Sequence, residues 1–387
     1  MINRSLIVSG TRSFLLFGAR GTGKSTYLRT YFSDRKVLWI DLLDPEQEDR
    51  YARRPSELAE QLHAMAQPPE WAVIDEVQKV PRLLDVVHSE IERGKVKFAL
   101  TGSSARKLKR QHTNLLAGRA SVYNIFPFTA IELGEAFDLD AALQFGTLPG
   151  LQDCATPEDR NDLLRAYALT YLKEEVWSEH LIRTLDPFRR FLEIAAQANG
   201  EIINYTNIAR DVGADVKTVQ SYFQIMEDTL VGFLLEPFHG SVRKRQTQSP
   251  KFYLFDPGVK RALTRMLTVE LRPGTYDYGR AFEHFVVVEA MRRSAYCKND
   301  FAFSYLRTKD GAEVDLIIER PGKSPVLVEI KSGDRVDERD TRSLERFLVD
   351  MPGATGMCLS RDPVPKLIGN VRALPWQEGL RELDTIE

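Results

Sequence analysis

The sequence has few cysteines, no strong excess of either charge and no long apolar run. Its three cysteines, Cys154, Cys297 and Cys358, lie far apart, and none belongs to a Cys-x-x-Cys pair. A zinc ribbon is therefore excluded, and a reducing, cytosolic compartment is expected. No uninterrupted apolar stretch approaches the ~20 residues of a membrane-spanning helix. The sequence thus predicts a cytoplasmic protein with no membrane partner.

The chain also lacks a global basic field, since its formal net charge at pH 7 is -2. Any argument for a nucleic-acid partner must therefore depend on local patches. Internal repeats and low-complexity segments are absent as well. What is present is a chain of 387 residues with 43% hydrophobic content, enough for two to four folded domains.

The segment "SFLLFGARGTGKST" predicts a phosphate-binding loop, because an apolar strand is followed by Gly18, four residues, Gly23-Lys24-Ser25 and a helix pattern. Glycines let backbone N–H groups wrap the phosphates, Lys24 reaches the outer phosphates, and the Ser25 hydroxyl ligates magnesium. The helix N-terminus adds positive potential. The alternative is a loop that has kept its shape and lost its ligand. The residues predicted to bind ATP are Gly18, Gly21, Gly23, Lys24, Ser25, Thr26 and Asp75.

Polar residues end two further predicted strands. "WAVIDE" ends in Asp75, which suits a direct or water-mediated magnesium contact, and Glu76, which suits polarising the water that attacks the γ-phosphate. "KFALTGSS" ends in Ser103 and Ser104, either of which could orient that water. The alternative for Asp75-Glu76 is that they merely solvate a strand end.

Five strands that alternate with helices predict a doubly wound parallel sheet with ligands at the carboxyl ends of its strands. The order of motifs resembles AAA-type ATPases. The resemblance implies a homo-oligomeric ring, expected to be a hexamer, in which Arg119 reaches a neighbour's nucleotide site as an arginine finger worth roughly 10³–10⁵ in rate. A buried structural salt bridge is the alternative for Arg119. The wider superfamily often has asparagine where this chain has Ser103, which weakens the water-orienting role.

Four segments, "DEVQKVPRLLDVVHSEIE", "ALTGSSARKL", "GRA" and "FPFTAIEL", together resemble one subgroup of bacterial and archaeal proteins. In that subgroup an ATPase is followed by a domain of unknown function. Residues 136–186 read as helices and fit the small helical lid that follows the core of AAA-type proteins. Residues 187–240 contain three helices with a glycine-bearing turn before the third, which resembles a winged helix-turn-helix.

The outward face of the third of these helices offers polar side chains that can contact phosphates or base edges. A basic run follows near the predicted wing. The face is not strongly basic, because Glu227 and Asp228 lie nearby. The alternative is a helical module that packs domains together, with a solvated basic loop. The predicted nucleic-acid contacts are Lys217, Thr218, Gln220, Ser221, Arg243, Lys244 and Arg245.

The segment "GAEVDLIIERPGKSPVLVEIKSG" predicts a β-hairpin, because two alternating runs flank the turn residues Pro321-Gly322. A turn centred near Gly322 places Asp315 opposite Glu329 and Glu313 opposite Lys331. Directly opposed residues share a face of the sheet. Two carboxylates and an ammonium group are therefore expected on one patch.

The pattern helix, three strands, helix, strand around this hairpin resembles the core of PD-(D/E)xK nucleases. The matching residues are Asp315, Glu329 and Lys331, with Glu283 as the extra acid on the first helix, whereas Val314 replaces the proline of the signature. The resemblance implies that Glu283, Asp315 and Glu329 hold magnesium and that Lys331 stabilises the charged transition state. The alternatives are an inactive nuclease fold kept as a binding platform, and an unrelated salt bridge.

The sequence thus predicts an α/β chain with four parts: a P-loop parallel-sheet ATPase core (1–135), a helical lid (136–186), a winged helix-turn-helix (187–247) and an α/β restriction-endonuclease-like domain (248–387). The expected function is an ATP-hydrolysing machine that couples an oligomeric motor to a magnesium-dependent endonuclease acting on duplex or branched DNA. The expected cofactors are ATP and magnesium. The alternative is an ATP-dependent regulatory switch whose helix-turn-helix binds DNA or a partner and whose tail is catalytically silent.

Overall fold

The computed structural model describes residues 2–103, 116, 118–171, 185–238 and 248–385. The first part of the chain forms an α/β layer. Its strands are β1 (Ser13–Phe17), β2 (Val37–Asp41), β3 (Trp71–Asp75), β4 (Lys97–Gly102) and β5 (Ala120–Asn124). Its helices are α1 (Lys24–Tyr31), α2 (Pro45–Arg53), α3 (Glu57–Ala64) and α4 (Leu83–Arg93).

The five strands form one sheet in the order β2-β3-β4-β1-β5, and every neighbouring pair is parallel. The structure therefore confirms the predicted parallel sheet. β1 and β3 are buried throughout, as expected for strands covered on both faces. Because β4 lies between β1 and β3, the segments that follow these three strands meet at one edge of the sheet.

The segment after the sheet is helical. Its helices are α5 (Ala130–Leu133), α6 (Leu139–Phe145) and α7 (Pro157–Ala166), and α7 continues into a π-helical turn, Tyr167–Tyr171. Each helix begins at a residue whose side chain accepts a hydrogen bond from the first turn, namely Thr129, Asp138 and Thr156. Residues 172–184 of the predicted lid lie outside the described residues.

The middle of the chain has three helices, α8 (Leu185–Gln197), α9 (Tyr205–Val212) and α10 (Val216–Asp228), followed by β6 (Gly232–Pro237) and β7 (Lys251–Leu254). Asp215 caps α10 by accepting from the Thr218 amide. Val219, Tyr222, Phe223 and Met226 form a buried stripe on this helix. Leu230 lies beyond the end of α10 with φ 57°.

The rest of the chain forms the tail. Its helices are α11 (Pro257–Leu263), α12 (Tyr276–Cys297), α13 (Glu338–Asp350) and α14 (Trp376–Thr385). Its strands are β8 (Ala302–Arg307), β9 (Glu313–Glu319), β10 (Val326–Lys331), β11 (Thr355–Ser360), β12 (Lys366–Ile368) and β13 (Val371–Pro375). Among the described residues no helix, the 22-residue α12 included, has both the length and the apolarity needed to cross a membrane.

The tail sheet includes β6, which the sequence placed in the winged helix-turn-helix. The order of its eight strands is β12-β13-β11-β10-β9-β8-β6-β7, so antiparallel β6 and β7 extend it through parallel β6–β8 pairs. This hairpin crosses the predicted boundary between residues 247 and 248. α11 of the predicted tail also packs on α6 of the predicted lid, since a Cβ added at Gly258 would lie 1.8 Å from the Phe145 carbonyl oxygen.

The C-terminal half of α12 docks against the first domain through buried polar groups. Arg292 donates to the Phe128 carbonyl oxygen at 3.2 Å and to the Thr147 hydroxyl at 3.0 Å. Glu289 accepts from the Ala130 amide at 2.9 Å, and the Tyr296 hydroxyl accepts from the Phe126 amide at 3.0 Å. Segment 126–130 is therefore held by one face of α12.

We expect Glu289 to make the stability of this interface depend on pH. Burial raises the pKa of Glu289 to about 7, although Arg292 opposes the rise. Because folding favours the protonated acid, its stabilising contribution is lost as the pH rises through about 7. Glu289→Gln is expected to weaken the fall in melting temperature between pH 5 and 8 by roughly 5 °C.

Circular dichroism melting curves of the wild type and the Glu289→Gln variant measure this difference. Glu135→Gln is the matched control, because Glu135 is exposed in the same part of the chain. Parallel pH profiles for wild type and Glu289→Gln would show that the carboxyl group does not titrate in this range.

Candidate functional site

The loop that follows β1 is closed on itself and backed by the sheet. A Cβ at Gly18 would lie 2.5 Å from the Ile125 carbonyl oxygen, so only glycine permits this approach of the backbone. The buried Lys24 ammonium donates to the Gly18 carbonyl at 2.8 Å and lies 3.7 Å from a Glu76 carboxylate oxygen. Ser25 and Thr26 follow on the first turn of α1.

The carboxylates that end β3 face this loop. Asp75 is buried and accepts a hydrogen bond from the Thr101 hydroxyl, which itself accepts from the Glu76 amide at 2.9 Å. Glu76 has the left-handed backbone conformation, φ 58° and ψ 48°, which is costly for a residue with a side chain. The strained backbone turns the Glu76 carboxylate toward Lys24.

Gln78 links two of the predicted catalytic side chains and was not foreseen from the sequence. Its side-chain amide donates to the Glu76 carboxylate and, at 3.1 Å, to the Ser103 hydroxyl. Its amide oxygen is buried and has no hydrogen-bond partner among the described residues. The structure thus brings Glu76 and Ser103 together through a third residue. The one sequence feature that could have indicated a role for Gln78 is its position two residues after Glu76.

A largely apolar cavity of about 420 Å³ opens beside the loop, within the ~300–1,000 Å³ of small-ligand pockets. Thr22, Gly23 and Thr26 form one side of it. Arg4 lies over the Phe128 ring at 4.6 Å and donates to the Thr22 carbonyl oxygen at 3.0 Å. The other lining residues are Ile2, Asn3, Leu6, Ile7, Val8, Tyr27, Thr30, Tyr31 and Pro149. Sequence reasoning missed this wall, because its N-terminal residues carry no motif.

Residues that follow the first sheet also contact the loop. The Tyr167 hydroxyl donates to the Arg20 carbonyl oxygen at 2.8 Å, and a Cβ at Gly21 would lie 3.4 Å from the Tyr167 ring. Pro149 approaches Gly23 in the same way, at 3.7 Å from such a Cβ. The segment predicted as a lid therefore covers the loop.

Arg119 lies apart from its own chain's loop, just before the edge strand β5. Its guanidinium donates to the Glu92 carboxylate of α4 at 3.0 Å, and this bond lowers the pKa of Glu92. The pair is partly exposed rather than buried. Arg119 thus makes a salt bridge at the surface.

The tail hairpin has the predicted register. Val326 pairs with Ile318 and Val328 with Leu316, and the same register puts Glu329 opposite Asp315. Asp315 accepts from the Ile330 amide at 2.8 Å. Glu313 and Lys331, which were expected to lie opposite each other, form ion pairs with other residues. Lys331 binds Glu329 at 2.6 Å, and Glu313 binds Lys251.

Two residues of β7 complete this patch and were missed from the sequence. The Tyr253 hydroxyl donates to Glu283 at 2.8 Å, and the buried Lys251 ammonium lies 3.8 Å from the same carboxylate. The sequence placed β7 at the start of the tail domain without giving it a role, so nothing suggested that it would meet α12 here. The group Lys251, Tyr253, Glu283, Glu313, Asp315, Glu329 and Lys331 is called the carboxylate patch below.

Burial and mutual repulsion set the protonation of the carboxylate patch. Burial, with help from Glu329 and Glu283, raises the pKa of Asp315 well above its ordinary value. Burial also raises the pKa of Glu329, although Lys331 opposes the shift. Burial lowers the pKa of Lys251, but the Glu283 and Glu313 carboxylates more than offset this and the pKa is raised. The acids lie close enough to repel one another.

The carboxylate patch has one feature of a divalent-cation site but not a complete set of ligands in this conformation. One Glu329 carboxylate oxygen is buried without a hydrogen-bond partner among the described residues, which fits a cation ligand. Yet within that part of the chain no group of three or more His, Cys, Asp or Glu side chains is arranged to hold a metal ion. Glu283, Asp315 and Glu329 share the patch without forming such a group, and Tyr253 and Lys331 engage two of them.

The predicted nucleic-acid face lies on α10. Lys217, Gln220 and Ser221 are exposed there, while the Thr218 hydroxyl donates to Asp215 at 2.8 Å as part of the helix cap. Thr218 is therefore less available than its neighbours. The basic run Arg243, Lys244 and Arg245 lies outside the described residues.

The parallel sheet, glycine loop and paired carboxylates define a P-loop ATPase domain, and residues 10–134 match the family described as AAA domain. The first part of the chain is thus an AAA-type P-loop ATPase domain. Residues 136–270 and 278–378 match two families described as domains of unknown function, DUF8612 and DUF4143. Relatives include the uncharacterized proteins Rv2008c of Mycobacterium tuberculosis and Mb2031c of Mycobacterium bovis, each 26% identical over 87% of this chain and 74% of the relative.

Similar solved structures include a chain of the Thermococcus gammatolerans assembly of McrB AAA+ hexamers with bound McrC. That chain is 11% identical with a TM-score of 0.23, and the similarity spans 53% of each chain. Domain III of the replication initiation protein DnaA from Thermotoga maritima is 12% identical with a TM-score of 0.20, over 56% of this chain and 84% of that one.

Proposed function

We propose that this protein is an ATP-hydrolysing machine that acts on DNA and couples its AAA-type domain to a magnesium-dependent endonuclease in the tail. The proposal of ATP hydrolysis rests on the convergence of Lys24, Glu76 and Ser103 at one edge of the sheet. The proposal of DNA scission rests on the carboxylate patch. The two activities are separable, so each has its own test.

In the nucleotide site, this chain's residues divide the work of hydrolysis. Backbone amides from Gly18 to Lys24 cradle the phosphates, and the Lys24 ammonium leaves its carbonyl partner for the outer phosphates. Glu76 accepts a proton from the attacking water, which Ser103 orients. Ser25 and Asp75 would hold a magnesium ion, which supplies charge neutralisation at the phosphates. The 420 Å³ cavity receives the base and ribose.

In the tail, Asp315 and Glu329 with Glu283 would hold magnesium, which activates water for phosphodiester hydrolysis when bound. Support comes from the raised pKa values of Asp315 and Glu329, because a cation relieves the repulsion between carboxylates. Lys331 must release Glu329 and is then free to stabilise the charge that develops on the phosphate.

DNA engagement rests on the middle module. The winged-helix part of the proposal is supported by three helices followed by the β6–β7 hairpin, with an isolated bridge between Ile202 and Lys251. In this proposal Lys217, Gln220 and Ser221 contact the duplex, together with the basic run Arg243, Lys244 and Arg245. A ring of subunits, proposed to be a hexamer, brings Arg119 to the neighbouring nucleotide site once it leaves Glu92.

Measuring ATP hydrolysis with single-stranded, duplex and four-way DNA tests the coupling, and a magnesium cleavage gel on the same DNAs tests scission. We expect DNA to stimulate hydrolysis several-fold and magnesium, but not calcium, to support nicking. A plain duplex and a four-way junction of equal length form the matched pair. The proposal would be refuted if DNA did not change the rate of ATP hydrolysis and if the DNA stayed uncut after incubation with the protein and magnesium.

A regulatory switch is the second candidate, and one observation favours it. Phe128 lines the nucleotide cavity, and its carbonyl oxygen accepts from Arg292 of α12, the helix that also carries Glu283. Nucleotide binding at Phe128 therefore has a direct contact route to the tail. Slow ATP turnover and a silent tail, with partner binding that depends on nucleotide, would favour this reading.

A further inference from the structure

A second cavity, of about 220 Å³, lies between α11, the start of α12 and the end of α8. It is separate from the nucleotide cavity and smaller than the ~300–1,000 Å³ of typical drug-sized ligand pockets. Its charged lining consists of Lys260, Arg261, Arg280 and Asp277, so three cations face one acid. We name it the basic cavity.

The acids around the basic cavity do not neutralise all of its cations. Arg280 is paired with Glu201 at 2.6 Å and donates to the Asn199 carbonyl oxygen at 2.6 Å. Asp277 is exposed at the rim. In the part of the chain that the structure describes, the Lys260 side chain makes neither an ion pair nor a hydrogen bond, although it is partly buried. The Lys260 ammonium group is thus held among cations, and the exposed Asp277 carboxylate acts on it from a distance without pairing with it.

Arg261 gives an independent sign of a missing acceptor. The residue is 5% exposed, and its terminal nitrogen donates to the Met266 and Val269 carbonyl oxygens. Its Nε is buried and has no acceptor among the described residues. A buried donor without a partner costs about 1–3 kcal/mol. The hydrogen bonds to residues 264–269 account for the position of the Arg261 terminal nitrogen. They do not account for the buried Nε without an acceptor, or for the Lys260 ammonium group without a partner, within the described ranges of the chain.

The protonation of the lining agrees with an excess of positive potential. Burial, and then Arg280 and Arg261, lower the pKa of Lys260. Burial lowers the pKa of Arg261 to about 10. His284 also lines the cavity, but burial lowers its pKa to about 3, so it is neutral at physiological pH. An anion would offset the positive charge around Lys260 and supply an acceptor for the Arg261 Nε.

We propose that the basic cavity binds a terminal phosphate group, held by Lys260 and Arg261 with Arg280 at its edge. The compact volume suits a single tetrahedral oxyanion and its nearest substituent rather than a whole nucleotide. Two sources share this chemistry, a 5′-phosphorylated nucleic-acid end and a free phosphate. The first rests on the proposed function, because Arg280 lies one turn of α12 before Glu283 of the carboxylate patch.

Binding is measured by calorimetry with inorganic phosphate on the full chain saturated with ADP, so that the P-loop does not contribute. We expect Lys260→Met to weaken phosphate binding about tenfold, since a charge-assisted contact is lost. Lys298→Met, at an exposed lysine that ends α12, should bind as the wild type does. Equal affinities for wild type and Lys260→Met would overturn the proposal. If Lys260→Met fails to fold, Lys260→Arg must retain binding, and its loss there would overturn the proposal too.

A second arm distinguishes the sources by comparing 5′-phosphorylated and 5′-hydroxyl oligonucleotides of one sequence. Preference for the phosphorylated strand, lost in Lys260→Met, identifies a nucleic-acid end. Binding of inorganic phosphate without that preference keeps the pocket and assigns it to a free phosphate. Magnesium-dependent nicking is read separately: its absence refutes the endonuclease and leaves phosphate binding untouched.

Discussion

ATP hydrolysis is expected to fall about 100-fold or more when Glu76 is replaced by glutamine, because a positioned general base contributes roughly 10²–10⁴ in rate. Glutamine keeps the size of the side chain and can still accept from Gln78, so the strained backbone at Glu76 and the loop should persist. Nucleotide affinity is expected to change less than about threefold, since Lys24 and the loop amides remain. Fluorescent-nucleotide binding and phosphate release measure the two quantities separately.

The matched control is Glu46→Gln, which removes an exposed carboxylate of α2 away from the loop and should leave turnover unchanged. Loss of binding together with turnover in Glu76→Gln would indicate collapse of the site rather than loss of a base. Turnover within about threefold of the wild type would exclude Glu76 as the group that activates water.

The same assay tests whether Arg119 acts between subunits. Arg119→Ala alone should also be nearly inactive, because an arginine finger is worth roughly 10³–10⁵ in rate. Mixing Arg119→Ala with Glu76→Gln should restore part of the activity, since each variant supplies the group that the other lacks. Inactive mixtures would leave Arg119 with only its surface salt bridge to Glu92.

Asp315→Asn is expected to abolish nicking and, at the same time, to raise thermal stability at alkaline pH. The folded-state pKa of Asp315 is raised well above its ordinary value by burial and by Glu329 and Glu283. Folding therefore favours the protonated acid, and this stabilising contribution is lost as the pH rises from the unfolded value through the folded one. Asparagine cannot ionise, and it still accepts from the Ile330 amide.

Melting temperatures at pH 5 and pH 8, with and without magnesium, measure this second prediction. At pH 8 without metal we expect Asp315→Asn to melt about 2–4 °C above the wild type, with a smaller gap at pH 5. Magnesium should stabilise only the wild type. Asp310→Asn, in the exposed turn between β8 and β9, is the control. Nicking that survives Asp315→Asn would remove the carboxylate patch as the site of scission.

The sequence by itself determined the features that depend on neighbouring residues. The loop from Gly18 to Ser25 follows from local glycine geometry, and the register of the β9–β10 hairpin follows from a short turn and strict alternation. Asp315 and Glu329 could therefore be placed opposite each other without coordinates. The parallel direction of the strands in the first sheet follows from the alternation of strands and helices.

Long-range contacts required the folded structure. Lys251 and Tyr253 reach Glu283 only because β6 pairs with β8 and brings β7 into the tail sheet. Phe128 and Arg4 meet beside the loop, although about 120 residues separate them, and Arg261 lines a cavity with residues of α12. Such contacts depend on how separately formed elements pack, and that packing is decided by burial summed over the whole chain rather than by any local pattern.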